Sequence, residues 1–207
     1  MKIVDVWFES FSTLIISFNW IALIAICLLI IAIGHLFKLT MKHLNKKSVI
    51  IDEVSLGIGN NTVTLKYDNK DKEIAYKLWV ELSTRKIAIP FDTESDVIDE
   101  VYDSWYNFFG IARELLKEIP CNHINNSTQL ISLTERVLNH GLRPHLTTWQ
   151  AKYRKWYKQK STEVTNLSPQ EIQKTYEKYD ELVVDILKTN EKMIFYKNLM
   201  YKIAFDK

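Results

Sequence analysis

The feature that most constrains the fold is an uncharged apolar stretch close to the N-terminus. No Asp, Glu, Lys or Arg lies between Glu9 and Lys38. At about 1.5 Å per residue, a helix of about 24 residues is long enough to cross a hydrocarbon core of about 30 Å. A buried helix of a soluble protein normally carries a polar stripe, and this stretch has almost none. We therefore expect one N-terminal transmembrane helix over about residues 14–37.

A cleaved signal peptide is the alternative for such a stretch. Signal peptides begin with a basic segment, have a short apolar centre and end at an A-x-A-like site. Here Asp5 and Glu9 accompany Lys2, the apolar centre is too long, and "AIGH" is a poor cleavage site. We expect an uncleaved anchor. The apolar residues at helical spacing before it predict an interfacial segment: Val4, Trp7, Phe8 and Phe11.

The charges after the apolar stretch predict its orientation. Four lysines precede the first acid, Asp52: Lys38, Lys42, Lys46 and Lys47. Positive residues that flank a span stay on the cytoplasmic side. We expect a single-pass protein of the bacterial inner membrane. Residues 1–47 would form the outer N-terminus and the span, and residues 48–207 a cytoplasmic domain.

Composition limits the classes of function. The 27 basic and 25 acidic residues leave a net charge of +2, so any nucleic-acid binding must be local. Cys27 and Cys121 are far apart and predict neither a disulfide nor a metal site, which fits a reducing compartment. The segment "GIGNN" lacks the lysine of a phosphate-binding loop. We expect no metal and no small-molecule cofactor.

The cytoplasmic part is predicted to be mainly α. Residues 49–67 first read as a short β-hairpin, because β-branched strands flank "GIGNN", whose residues tolerate positive φ. The periodicity is then helical from residue 71 to 203. Four long helices are expected, packed as an up-and-down bundle: about 71–88, 95–119, 129–160 and from 169 past 200. Ser168 and Glu171 predict a capping box at the start of the last helix.

The third helix is predicted to be broken between Gly141 and Pro144. Gly141 has the position of a residue just past a helix end, and Pro144 that of the first residue of a new helix. The segment "VLNHGLRPHLTTWQAKYRKWYK" covers this break, and a helix start beside cations is a workable phosphate site. The candidate functional residues lie around the break: Arg136, Asn139, His140, Arg143 and His145. The alternative is that the histidines are only structural.

A basic segment follows the break. From Arg136 to Thr162 there are seven Lys or Arg and no acid, and the basic patch is formed by Lys152, Arg154, Lys155 and Lys158. It is either a solvated face or the partner of the acidic segment 92–103, within one subunit or between subunits. We interpret the aromatic residues at helical spacing in this segment as core, not as a base-stacking platform: Trp149, Tyr153 and Trp156.

A helical bundle with Arg and His near a helix break resembles the HEPN superfamily, whose nucleases carry an Arg and a His separated by four to six residues. Here Arg136 and His140 are separated by three residues, and Arg143 and His145 by one. Arg136 and His145 are separated by eight. Because none of these spacings matches the nuclease motif, we expect a degenerate site without RNA cleavage.

The layout of one span, a hairpin and a HEPN-like bundle, with the segment "NHGLRPHLTTWQ", is similar to the membrane accessory proteins of RNA-targeting type VI-B CRISPR systems. The resemblance implies a homo-oligomer, such as a ring, that forms a membrane pore and strengthens defence against phage. It also implies the lipid bilayer, and RNA or an RNA-guided nuclease, as partners.

Three functions remain open at this point. The first is an oligomeric effector that forms a pore or permeabilises the membrane. The second is a membrane-tethered ribonuclease that uses Arg136, His140, Arg143 or His145, and the third is a non-enzymatic tether for a cytoplasmic partner. The first is favoured, because the nuclease spacing fails and the sequence has no other recognisable catalytic set.

Overall fold

The fold is taken from a computed structural model that describes residues 4–10, 13–18, 20–44 and 47–205. Before residue 47, it describes the side chains of Trp20 and of residues 23–39. The chain divides into two compact units, Met1–Lys46 and Lys47–Lys207. The described part is mainly helical with short antiparallel two-stranded sheets.

The first unit begins with a β-hairpin, where a helical segment was expected. Strand β1 (Val4–Ser10) pairs antiparallel with β2 (Thr13–Phe18), so the helical interpretation of Val4, Trp7 and Phe8 is wrong. Phe11 lies outside the described residues. Valine, isoleucine and aromatic residues dominate both strands, and these side chains favour a pleated sheet. The first residues of the predicted 14–37 span therefore lie in a strand.

Helix α1 (Trp20–Leu44) follows the hairpin and carries most of the apolar stretch. Every residue from 23 to 39 is exposed. Leu28, Ile31 and Phe37 retain 62%, 67% and 64% of their accessible surface. Within the part of the chain that the structure describes, no helix meets the length and apolarity needed to cross a membrane.

The second unit opens with the expected hairpin, in a shorter form. Strand β3 (Lys47–Asp52) pairs antiparallel with β4 (Thr62–Tyr67). Residues 53–56, predicted as strand, instead form the helical turn α2 (Glu53–Leu56). The Asp52 carboxylate accepts from Val54 N–H at its start, and Gly57 at φ 66° closes its end. These two caps provide hydrogen-bond partners for backbone groups at both ends of the turn, which explains why the strand stops at Asp52.

Seven helices follow, and their bounds are α3 Asn69–Thr84, α4 Ile98–Lys117, α5 Ile124–Arg136, α6 Arg143–His145, α7 Ala151–Glu163, α8 Pro169–Lys174 and α9 Tyr179–Phe205. Two π-helical segments, Val137–Leu142 and Leu146–Gln150, lie between α5, α6 and α7.

The predicted break between Gly141 and Pro144 is absent, because helical backbone continues from α5 through α7. The wider π turns accommodate Pro144, which cannot donate a backbone hydrogen bond inside a regular helix. Gly141 has no positive φ and is not a helix end. A Cβ on Gly141 would lie 3.2 Å from the Leu56 carbonyl oxygen, so the glycine permits close packing on α2.

The last predicted helix is divided. Its capping box is confirmed, since Ser168 Oγ accepts from Glu171 N–H and the Glu171 carboxylate accepts from Ser168 N–H. The prediction was one continuous helix from residue 169 past residue 200. In the structure α8 ends at Lys174, and α9 begins at Tyr179. The Thr175 hydroxyl donates 2.7 Å to the Ile172 carbonyl oxygen, which occupies a helix-terminal acceptor and favours the turn.

The core of the second unit is built around α3, α4 and α9. Leu78 on α3, Trp105 on α4 and Tyr196 on α9 are fully buried. Hairpin residues Ile51 and Leu65 join the same apolar cluster. Three aromatic residues belong to this core, as predicted: Tyr153 is fully buried, and Trp149 and Trp156 are half-buried and pack against it.

Candidate functional site

Arg136 is a structural clamp in this fold. Its Nη1 donates to Glu53 Oε1 at 2.6 Å, and its Nη2 donates to the Ile58 carbonyl oxygen at 2.7 Å. The Arg136 hydrogen bond lowers the pKa of the Glu53 carboxyl against the opposing effect of burial. Glu53 is almost completely buried, and a buried carboxylate needs such a charged partner. Arg136 therefore holds the hairpin turn against α5.

The buried His145 lies at the centre of a polar network that reaches the partly exposed Asp185. Its Nδ1 is 2.7 Å from Asp185 Oδ2, and its Nε2 is 3.2 Å from Tyr102 Oη. An ionised carboxylate only accepts, so Nδ1–H donates to Asp185 and the Tyr102 hydroxyl donates to Nε2. Trp149 Nε1 donates to the same Asp185 oxygen at 3.0 Å. Both ring nitrogens of His145 are thus occupied.

Burial sets the charge of this network. Desolvation lowers the pKa of His145, and the Asp185 carboxylate opposes that shift without overcoming it. Desolvation also raises the pKa of Tyr102 far above its usual range. His145 is 3% exposed and both of its nitrogens are bonded within the protein, so a substrate would have to displace Tyr102 or Asp185 to reach it. His145 joins α4, α6 and α9, and we assign it no catalytic role.

The sequence identified His145 but not its partners. Tyr102 and Asp185 are 43 and 40 residues away in the chain, and neither stands in a recognisable motif. Trp149 was interpreted only as core, although its indole N–H completes the network. The available signal was general: the hydroxyl of a buried tyrosine or the indole N–H of a buried tryptophan usually forms a hydrogen bond.

His140 lies on a different surface, in what we call the histidine groove. This depression has a volume of about 580 Å³ and is lined by His140, Trp149, Glu181, Asp185, Lys188 and Lys192. His140 is exposed, whereas His145, which also lines the groove, is buried. Burial and the neighbouring charge of Lys188 lower the pKa of Lys192. The groove carries both acidic and basic groups and so has no single electrostatic preference.

Arg143 faces a second depression, the arginine groove. This groove has a volume of about 380 Å³ and includes Tyr106, Asn107, Gly110, Arg113, Arg143 and Gln150 in its lining. Arg143 Nε donates to Asn139 Oδ1 at 3.0 Å, and its guanidinium carbon lies 5.2 Å from the Phe109 ring centre. Arg143 projects from a helix, and not from the irregular turn that the sequence predicted. Asn139 positions it.

The candidate residues therefore do not form one centre. Arg136 lines a depression beside the hairpin, Arg143 lines the arginine groove, and His140 and His145 line the histidine groove. A cleavage site needs its acid, base and charge-stabilising groups around one reacting atom. The described geometry provides no such meeting point for these four side chains.

The basic patch is partly paired with the acidic segment of the same chain. Arg154 Nε lies 3.2 Å from Asp99 Oδ1, and Arg154 also pairs with Asp103. Elsewhere in the acidic segment, Lys86 pairs with Asp96, and Lys174 Nζ lies 2.6 Å from Glu94. The other three patch residues are exposed: Lys152, Lys155 and Lys158. Arg154 thus forms intrachain ion pairs, and the three lysines form a solvated face.

Among the residues that the structure describes, no group of three His, Cys, Asp or Glu side chains could hold a metal ion. Comparison with known proteins adds no assignment: no protein-family model, curated protein or solved structure matches this chain. Function must therefore be inferred from the residues and their geometry.

Proposed function

We propose that this protein is a membrane-anchored, oligomeric accessory protein that permeabilises a bacterial inner membrane and enhances RNA-guided defence against phage. The observation that carries the proposal is the uncovered apolar surface of helix α1. No described helix meets the length and apolarity needed to cross a membrane, so the span itself is proposed from the uncharged stretch of the sequence between Glu9 and Lys38. The assignment to RNA-guided defence rests on the sequence resemblance to type VI-B accessory proteins and to HEPN-like bundles.

The apolar surface surrounds α1 instead of forming a stripe. Leu28, Leu29, Ile30 and Ile31 are consecutive and each remain at least 62% exposed, so they point to all sides of the helix. Transfer of each such side chain out of water is favourable by about 1.5–3 kcal/mol of free energy. A helix that is apolar on every side is stable only when lipid or other protein covers it. Lipid supplies such a cover to all sides at once.

Several copies are needed for a pore. One helix cannot enclose a channel, because its backbone groups bond internally and it has a single outer surface. In the proposed assembly, α1 helices from several protomers surround the conducting path. The lysines that follow the apolar stretch orient the assembly with a short N-terminus outside and the second unit in the cytoplasm.

The proposed role is non-enzymatic. Arg136 is engaged by Glu53, and His145 is engaged by Tyr102 and Asp185, so two of the four nuclease candidates are committed to structure. The remaining pair, His140 and Arg143, line separate grooves. This geometry supports a degenerate HEPN-like domain that assembles or senses and does not cleave RNA.

Membrane insertion is tested by placing a charge on α1. Ile30 is 63% exposed, so Ile30→Arg disturbs no packed core. An arginine in the centre of a membrane helix costs about 2.5–3.5 kcal/mol, whereas Ile30→Val is a matched control. We expect the parent and Ile30→Val chains to float with bacterial membranes in a density gradient, and the arginine variant to be depleted there. Recovery of the parent chain outside the membrane fraction would refute the proposed anchor.

A further inference from the structure

We propose that the arginine groove is a binding site for a nucleoside phosphate. This inference goes beyond the membrane function and does not depend on it. The groove lies in the second unit, between α4 and the α6 region, and presents two arginines, an exposed tyrosine and two side-chain amides. Together these groups match the phosphate, the aromatic base and the polar base edge of one nucleotide.

The two arginines supply the positive end of the site. Arg143 is fixed by Asn139 at its Nε and by Phe109 beneath its plane, so its Nη1 and Nη2 are left free of described protein partners. Arg113 donates from its Nε to the Phe109 carbonyl oxygen at 3.3 Å and is likewise exposed. Guanidinium groups held in this way bind phosphate oxygens through paired N–H donors.

The charge around the groove is one-sided. Among the described residues that line it there is no Asp or Glu, so neither arginine is neutralised within the groove. Other arginines of this unit do have an acidic neighbour, as Arg136 has Glu53 and Arg154 has Asp99. Two unpaired arginines in one concave surface favour an anionic ligand.

The other lining groups select a nucleoside over a bare phosphate. The Tyr106 ring is 64% exposed at the rim and offers a face on which a base can stack. Asn107 and Gln150 line the same groove, and their amides can both donate to and accept from a base edge. A volume of about 380 Å³ falls at the lower end of the range for small-ligand sites, which suits one nucleotide.

Gly110 offers a direct way to block this site. It lines the groove, and a Cβ added there would meet nothing within 4 Å. Gly110→Phe therefore introduces a ring at the groove from a position with an open Cβ direction, whereas Gly110→Ala adds one methyl group and leaves the groove open. Arg113→Ala and Arg143→Ala remove the proposed phosphate ligands. Lys155→Ala removes one charge from an exposed position outside the groove lining and is the charge control.

The experiment is calorimetric titration of the full chain in detergent with adenosine monophosphate, adenosine, and a 5′-phosphorylated single-stranded RNA hexamer. We expect adenosine monophosphate to bind with Kd below about 1 mM and each arginine variant to weaken it about tenfold. Adenosine should bind more weakly, for lack of the phosphate. Gly110→Phe should abolish binding, and Gly110→Ala and Lys155→Ala should keep it, with thermal melting confirming that every variant is folded.

The two nucleotide probes separate the sources of the ligand. Comparable affinity for adenosine monophosphate and the hexamer assigns the site to a free nucleotide. Much tighter binding of the hexamer, still lost in Gly110→Phe, assigns it to the phosphorylated end of an RNA strand. The proposal is overturned if neither probe binds, or if binding persists unchanged in Gly110→Phe or in both arginine variants.

Discussion

At the scale of single residues, the chain uses its arginines and histidines in different ways although they lie close together in sequence. Arg136 neutralises the buried Glu53, His145 satisfies Asp185 and Tyr102, and Arg143 is held open to solvent over Phe109. The sequence predicted these residues as candidates, since all lie around Pro144. It could not predict the partners of Arg136 and His145, because those contacts join positions 40 or more residues apart.

The His145 network predicts a dependence of stability on pH. In the unfolded chain the histidine takes up a proton near its ordinary pKa of 6.5, while burial keeps the pKa of the folded His145 lower. The unfolded chain therefore binds more protons as the pH falls below about 6.5, and the free energy of unfolding decreases. We expect the melting temperature of the full chain in detergent to fall as the pH is lowered from 7.5 to about 5.5.

His145→Asn is the matched variant for this effect. The asparagine amide can still donate to Asp185 but has no proton to gain in this range. Its melting temperature should change less with pH than that of the parent, whatever its value at pH 7.5. Equal slopes for the two chains would mean that His145 is not the titrating group.

At the scale of helices and strands, local patterns predicted most elements and missed those set by caps and tertiary contacts. The periodicity placed α3, α4 and the hairpin within a few residues of their observed bounds. Residues 53–56 were misassigned because Asp52 and Gly57 close a helical turn there. Gly141 was interpreted as a helix end because its close approach to the Leu56 carbonyl is invisible in the sequence.

Two helical glycines of the second unit, Gly110 and Gly141, give a matched test of this explanation. Alanine is favoured over glycine inside a helix by about 0.5–1 kcal/mol. Gly110→Ala meets no neighbour within 4 Å, so it should raise the free energy of unfolding by about that amount. Gly141→Ala places its Cβ 3.2 Å from a backbone oxygen, so it should lower stability. Equal stabilisation of both variants, measured by denaturant unfolding, would show that Gly141 is not a packing glycine.

At the scale of the whole molecule, the proposed function requires that the helical second unit does not cleave RNA. The candidate Arg and His side chains line three separate depressions and lack the nuclease spacing. We expect no metal-independent ribonuclease activity from the purified chain on single-stranded RNA. Robust cleavage that is lost in His140→Ala, but kept in Lys155→Ala, would instead support the membrane-tethered nuclease.

The proposal is that several copies assemble in a membrane and open a path through it. It rests on the exposed apolar helix α1, which is followed by a folded second unit. The sequence predicted the apolar stretch, but it contains no local signal for the number of copies, because assembly depends on surfaces contributed by different protomers.

Dye release from liposomes tests this assembly in the membrane itself. The full chain is reconstituted at increasing protein-to-lipid ratios into vesicles that contain a small fluorescent dye, and vesicle-bound protein is measured by flotation in the same samples. We predict that release increases more steeply than in proportion to bound protein, since each path needs several copies, and that Ile30→Val behaves as the parent does. Vesicles that carry the bound protein and retain their dye at every ratio would rule out the proposed permeabilising assembly.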